Sequence, residues 1–256
     1  MLADGDIHLW FTFYDDNIGD ELLQRRYRAL LNEQERSREL RFHLADDRRR
    51  YLTTRALVRT VLSRYASVRP EDWVFSTNAY GRPEIANRDV RESRLSFNIS
   101  HTRKLIVLAV TLRCALGVDV ENVRARHISM DIAESIFSSQ EVTALARLPP
   151  HKQKHRFFEN WTFKESYIKA RGTGFALPLD KFSFYYPRDS EVQISIHPDL
   201  KDSPHHWMFW QLRPTPDYLV ALCAERVNTK RIIVAKTTIP TVADYEFMPS
   251  FIRTSG

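Results

Sequence analysis

A chain of 256 residues is long for one domain and short for two large ones, and with 43% hydrophobic residues, among them five Trp, ten Tyr and fifteen Phe, it is no disordered segment. Its 38 basic and 32 acidic residues leave a net charge of +6, which suits nucleic acid, an anionic membrane, or phosphorylated and acidic-protein partners without choosing among them. It has only seven glycines, where a usage of ~7% would give about eighteen, and none forms a G-x-G-x-x-G or G-x-x-x-x-G-K-[ST] loop, so any phosphate is bound without a glycine cradle.

Residues 1–10 lack the basic and apolar regions of a signal peptide. The longest apolar run, Leu105–Val110, is far short of the ~20 residues that span a bilayer, so a soluble, cytoplasmic protein without a membrane partner is expected. Leu31-Asn32-Glu33-Gln34-Glu35 predicts a helix start, with Asn32 as the cap and Glu35 answering three residues on. A helical stretch over 46–66 follows, then Pro70-Glu71-Asp72 and a β-rich segment to Ser76. Gly81-Arg82-Pro83-Glu84-Ile85 is turn-like, Leu95–Thr102 alternates as a strand, and Leu105–Leu112 is an apolar strand.

Gly117–Glu121 opens a second series. Phe137-Ser138-Ser139-Gln140-Glu141 repeats the capping box, a helix is predicted over 152–170, Pro178-Leu179-Asp180 leads a β segment to Ser183, and Tyr218–Cys223 closes as an apolar strand. This echo, at a separation of about 108 residues, predicts an α+β fold of two similar halves related by a pseudo-twofold. Each half would carry a mainly antiparallel sheet and a long helix, with the active site at their interface. The expected division is 1–112, 113–225 and an appendage, 226–256, with one strand-like run at Arg231–Ala235. Cys114 and Cys223 sit in apolar strands and read as buried thiols, not as a disulfide framework or zinc ligands.

In a strand over Gly117–Glu121, Val118 and Val120 share one face while Asp119 and Glu121 share the other, about 6.5–7 Å apart. Such a pair is either a solvated edge or one part of a cation site. On the helix over 152–170, Glu165 shares its face with Phe158, Trp161, Ile168 and Lys169, while Phe163 and Tyr167 lie opposite, so the helix is expected to be buried on two sides. A carboxylate there needs a partner. Lys169 at i+4 is one candidate; the other is an all-oxygen cluster of Asp119, Glu121 and Glu165, whose hard ligands favour Mg²⁺ or Mn²⁺ and leave Lys169 for a phosphate oxygen. Arg82 could meet a base, and Ser100 and His101 a phosphate, though read alone each stretch is more simply turn or strand-end chemistry.

Taken together these stretches resemble the 4′-phosphopantetheinyl transferases. Gly117–Glu121 followed by Trp161–Gly174 looks like the family signature, and Gly81–Ile85 and Phe97–Thr102 resemble its two upstream motifs. Length and layout are similar to the surfactin-type (Sfp-type) branch, a pseudodimer in one chain, with the resemblance covering residues 7–225. It implies transfer of the phosphopantetheine arm of coenzyme A to a serine of an apo acyl or peptidyl carrier protein, releasing 3′,5′-ADP. It implies that Asp119, Glu121 and Glu165 hold Mg²⁺ (or Mn²⁺) against the pyrophosphate, with Glu165, Glu121 or a bound water taking the serine proton. By the same resemblance Lys169 meets the pyrophosphate, Ser100 and His101 contact phosphate, Arg82 lies near the adenine and Arg38 near the 3′-phosphate. The basic partner of Arg38 is replaced by Glu35 here, a departure for which Arg50 or Arg48 could compensate.

The +6 charge then suits polyanionic CoA and acidic carriers. Residues 122–160, with Arg124, Arg126, Ile128, Met130 and Phe137, would form either a carrier-docking surface or a basic rim over a core helix. Arg48-Arg49-Arg50 hints at nucleic acid, but no recognisable module accompanies it, so none is expected as a partner. A monomer is expected, and the alternative to an enzyme is a non-catalytic binder of CoA or a nucleotide.

Overall fold

Leu105–Val110 is apolar at every position because its strand is covered on both faces: Leu105, Val107 and Ala109 point into one core, Ile106, Leu108 and Val110 into another. A computed structural model of the chain describes residues 2–14, 21–124, 130–228 and 230–256. The first half runs β1 (Ile7–Phe13), α1 (Glu21–Ala29), α2 (Glu33–Glu39), α3 (Ala45–Leu62), β2 (Phe75–Thr77), β3 (Pro83–Ile85), α4 (Arg88–Arg91), β4 (Leu95–Thr102) and β5 (Leu105–Leu112). The second runs β6 (Leu116–Asn122), α5 (Met130–Ile136), α6 (Ser139–Ala146), α7 (Pro150–Arg171), β7 (Phe182–Tyr185), β8 (Gln193–Ile196), β9 (Trp207–Arg213) and β10 (Tyr218–Glu225). Beyond these lie β11 (Ile233–Ile239), β12 (Ala243–Glu246) and β13 (Ser250–Thr254).

The two halves share one plan. Within the larger sheets the first half orders its strands β1-β5-β4 and the second β6-β10-β9, so in each the first strand lies beside the third and the third beside the second. Each half also carries a small antiparallel hairpin, β2-β3 or β7-β8. The registers correspond as well: Phe13 faces Leu105 as Asn122 faces Tyr218, and Trp10 faces Leu108 as Asp119 faces Ala221. This is the α+β pseudo-twofold that the sequence echo predicts.

The sheets stack face to face. Ile7, Leu9 and Phe11 of β1 meet Val118 and Val120 of β6 and Val220 and Leu222 of β10 in the central core. Helix α3 covers the outer face of the first sheet through Leu57, Val58 and Val61, and α7 covers that of the second through Phe163, Tyr167 and Ile168. Both expected capping boxes are present: Asn32 accepts from Glu35 N at 2.9 Å, and Ser138 from Glu141 N at 3.2 Å. Replacing Asn32 by Ala should cost ~1 kcal/mol and lower Tm by roughly 2–4 °C, read by thermal melting.

The segment after Glu225 holds three strands rather than one. Strand β11 lies parallel to β1, β12 extends it, and β13 pairs with β9. The free edges of β1 and β9 would otherwise present unpaired backbone groups, and these strands satisfy them. Val227, Ile233, Ala235 and Phe247 add apolar packing to the central core. Both cysteines are buried and free, Cys114 in the central core and Cys223 beneath α7.

Candidate active site

The site is set by how closely β6 lies on α7. A Cβ built on Gly117 would overlap the carbonyl oxygen of Ser166 and the amide nitrogen of Ala170, and would stand 3.0 Å from the carbonyl carbon of Lys169. Only glycine allows this approach. Helix α7 is held in rotation by Lys164, which is fully buried, donates to the carbonyls of Leu179 and Phe182 at 2.6 Å each, and pairs with Glu141 at 2.8 Å. On the other side of β6, side chains of β4 replace a backbone ladder: Asn98, Ser100 and Thr102 accept from the amides of Val118, Val120 and Asn122 at 2.9, 3.3 and 3.3 Å. The seam between the halves is therefore β4 against β6, with α7 beneath.

Asp119 lies on this seam and is 5% exposed. Its Oδ1 accepts from Ser100 Oγ at 2.9 Å and from Lys169 Nζ at 2.7 Å; its Oδ2 is buried without a hydrogen-bond partner. Lys169 also donates to Ser100 Oγ at 2.9 Å and Val118 O at 3.1 Å. Lys169 therefore pairs with Asp119, where the helical spacing alone offered Glu165 as its partner. Glu165 is 9% exposed and its Oε1 too is buried without a partner. Burial, then the charge of Asp119, outweighs Lys169 and, with Glu121, raises the Glu165 pKa to about 7. Glu121 accepts from Trp161 Nε1 at 3.0 Å.

Among the described residues no group of three or more His, Cys, Asp or Glu side chains closes around a metal position. The site fits a cation on other grounds. Two buried carboxylate oxygens, Asp119 Oδ2 and Glu165 Oε1, lack a hydrogen-bond partner, and a third carboxylate, Glu121, is near enough to act on Glu165.

From this cluster a cleft of about 300 Å³ extends along the seam toward the C-terminus of α7, lined by Tyr80, Arg82, Asn98, Ile99, Ile168 and Gly172 among others. Gly172 caps α7 in the left-handed conformation, φ 67°. Asn78 and Arg82, from the β2–β3 turn, close over this helix end. Asn78 Nδ2 donates to Gly172 O at 3.0 Å, and the Arg82 guanidinium donates to Lys169 O at 2.8 Å and Leu116 O at 3.2 Å. The Arg82 head, expected to face a base, is thus turned onto backbone carbonyls, where a cation complements the helix dipole.

The remaining sequence-marked residues divide. Arg50 on α3 pairs with Asp47 at 2.7 Å, and its charge reaches Tyr14 and His101. His101, solvent-accessible near the end of β4, has its pKa lowered by partial desolvation and then by Arg50 and Lys169. Arg38 lies 5.8 Å from the centroid of the Tyr51 ring and lines an open groove with Ser37, Arg41 and Phe42; this groove shares no residue with the cleft. Glu35 is buried against Arg55 and Arg59, the latter at 2.8 Å, so the departure at this position is a core ion pair. Arg48 donates to Phe42 O at 3.1 Å.

Of the residues named for docking, Phe137 is 4% exposed and belongs to the core, Arg124 pairs with Asp217 at 2.6 Å, and Arg126 and Ile128 lie outside the described residues. Sequence reading missed Asn98 and Thr102, which the strand alternation through Ser100 places on the same face. It also missed Lys164, whose buried partner Glu141 lies 23 positions away, a pairing that no local pattern reveals.

Comparison with known proteins shows the family. Residues 115–223 match the model of the 4′-phosphopantetheinyl transferase superfamily, and residues 23–113 that of the 4′-phosphopantetheinyl transferase N-terminal region. The chain is 34% identical to 4′-phosphopantetheinyl transferase Sfp of Bacillus subtilis, over 84% of this chain and 91% of that one. It is 30% identical to 4′-phosphopantetheinyl transferase HetI of Nostoc, over 87% and 88% of the two chains. The chain belongs to the 4′-phosphopantetheinyl transferase family, in its Sfp-type branch. Among the described residues no helix is long and apolar enough to cross a membrane.

Proposed function

We propose that this protein transfers the 4′-phosphopantetheine arm of coenzyme A to a serine hydroxyl of apo acyl or peptidyl carrier proteins, acting as a monomer at its single β4–β6 seam. The observation that carries the reading is the pair of buried, unpartnered carboxylate oxygens of Asp119 and Glu165 beside Lys169. Asp119, Glu165 and Glu121 would hold Mg²⁺, or Mn²⁺, since hard oxygen donors select such ions. When bound, the ion neutralises pyrophosphate charge and stabilises the leaving group.

The chain's own residues supply the rest. The turn around Arg82 and the end of α7 wall the cleft in which the nucleotide end of CoA would lie. Lys169, which donates to Ser100, would meet the pyrophosphate together with Ser100 and His101, with Arg50 adding positive charge near His101. The serine oxygen forms a bond to the phosphorus that carries the arm, the bond from that phosphorus to 3′,5′-ADP breaks, and Glu165 takes the serine proton. Arg38, in its separate groove, is the candidate for more distant phosphate contacts.

The test is to incubate the protein with CoA, Mg²⁺ and several apo carriers and to weigh the carriers intact. A mass gain of one phosphopantetheine on at least one carrier is expected. No gain on any, with CoA still bound, would favour a non-catalytic binder.

A further inference from the structure

We propose that Trp161 is a positioning residue: its indole N–H sets the direction of the Glu121 carboxylate and thereby the affinity of the site for its divalent cation. This rests on the cation reading above and concerns a residue that touches no reacting atom. Trp161 stands one turn before Glu165 on α7, on the same side of the helix. Its ring is half-buried and packs into the apolar cluster of Ala133, Phe137, Leu145, Phe158 and Leu219. From that anchorage Nε1 donates to Glu121 Oε1 at 3.0 Å.

Glu121 is the least buried of the three carboxylates. Asp119 is short, buried and fixed through Oδ1 by Ser100 and Lys169, and Glu165 is buried on the helix. Glu121 is the penultimate residue of β6, half-exposed, and has one more torsion than Asp119. An indole has a single donor and no acceptor, so it holds one carboxylate oxygen in one direction. Partners that orient metal ligands in this way typically change metal affinity 10–100-fold when removed. Leu219, a buried member of the cluster that the indole packs against, is also the β10 residue in register with Glu121.

The test is Mn²⁺ binding to the intact, metal-stripped protein, read by electron paramagnetic resonance. Trp161→Phe keeps an aromatic ring in the cluster and removes the N–H; we expect roughly tenfold weaker binding with an unchanged Tm in EDTA. A double-mutant cycle separates positioning from packing: in a Glu121→Gln background, Trp161→Phe should cause no further loss. Binding within about twofold of the parent, or an equal loss in both backgrounds, overturns the proposal while leaving the cation reading standing. A parent that takes up no Mn²⁺ overturns both.

If Trp161→Phe does not fold, the indole N–H resonances of the parent and of Glu121→Gln decide the matter. One of the five Trp signals should move on the substitution, and the same one on adding Mg²⁺ to the parent. No movement in either case counts against the proposal.

Discussion

Glu165→Gln is expected to fold as the parent does and to lose transfer by roughly 10²–10⁴-fold, the usual span for removing a positioned proton acceptor. The substitution keeps the side-chain volume and removes a charge that the fold tolerates poorly. Glu165 Oε1 is buried without a partner and faces the charges of Asp119 and Glu121. Its folded pKa, about 7, lies above the ordinary glutamate value of 4.5, so the metal-free native state binds this proton more tightly than the unfolded chain does. Stability from this group is therefore full below 4.5 and is lost as pH rises toward 7. In EDTA, Glu165→Gln should accordingly raise Tm more at pH 8 than at pH 5. Asp119→Ala should abolish transfer in the same assay. Parent-like turnover by either variant would remove the site from consideration, whatever the melting curves show.

Gly117→Ala should act through architecture. The added methyl has no space between β6 and α7, because the atoms it would meet are backbone: the Ser166 carbonyl and the Ala170 amide. Backbone within a helix cannot rotate aside as a long side chain can, so strand and helix must separate. Overpacking of this kind costs 1–3 kcal/mol and occasionally more, and this case should lie at or above the upper end, about 3 kcal/mol. Separation also carries Glu165 and Lys169 away from Asp119, so activity should fall even where the variant remains folded. Circular dichroism melts and the carrier-mass assay on the soluble fraction would show both effects. An unchanged Tm would mean that β6 is not bound to α7 as described.

Much of the fold was legible because each signal was local. Asn32 with Glu35, and Ser138 with Glu141, marked helix starts by a spacing of three. The two-residue period brought Asp119 and Glu121 to one side of a strand, and the helical period placed Glu165 and Lys169 on one side of α7.

What escaped depended on direction and on distant partners. Spacing allowed Lys169 to meet Glu165, but the seam offers it Asp119 and Ser100 instead. Arg82 was visible as a turn cation, yet its head caps a helix from the other half, 87 residues on. The tail strands were faint because they carry little apolar patterning: β11, between β12 and β1, is half-exposed along almost its whole length and so lacks a strong apolar stripe. Their cause lies in the open edges of β1 and β9, which no window of sequence around 233–254 contains.

The register shared by the two halves has one further consequence. The counterpart of Asp119 in the first half is Trp10, that of Glu121 is Thr12, and that of Ser100, through the paired hairpins, is Leu212. Where β6 turns its free edge to β4, the edges of β1 and β9 are closed by β11 and β13. Two identical copies of one half would carry every substitution twice and keep two equal sites. A fused pair escapes that bookkeeping: one seam keeps its acids and stays open, while its twin has become greasy and shut.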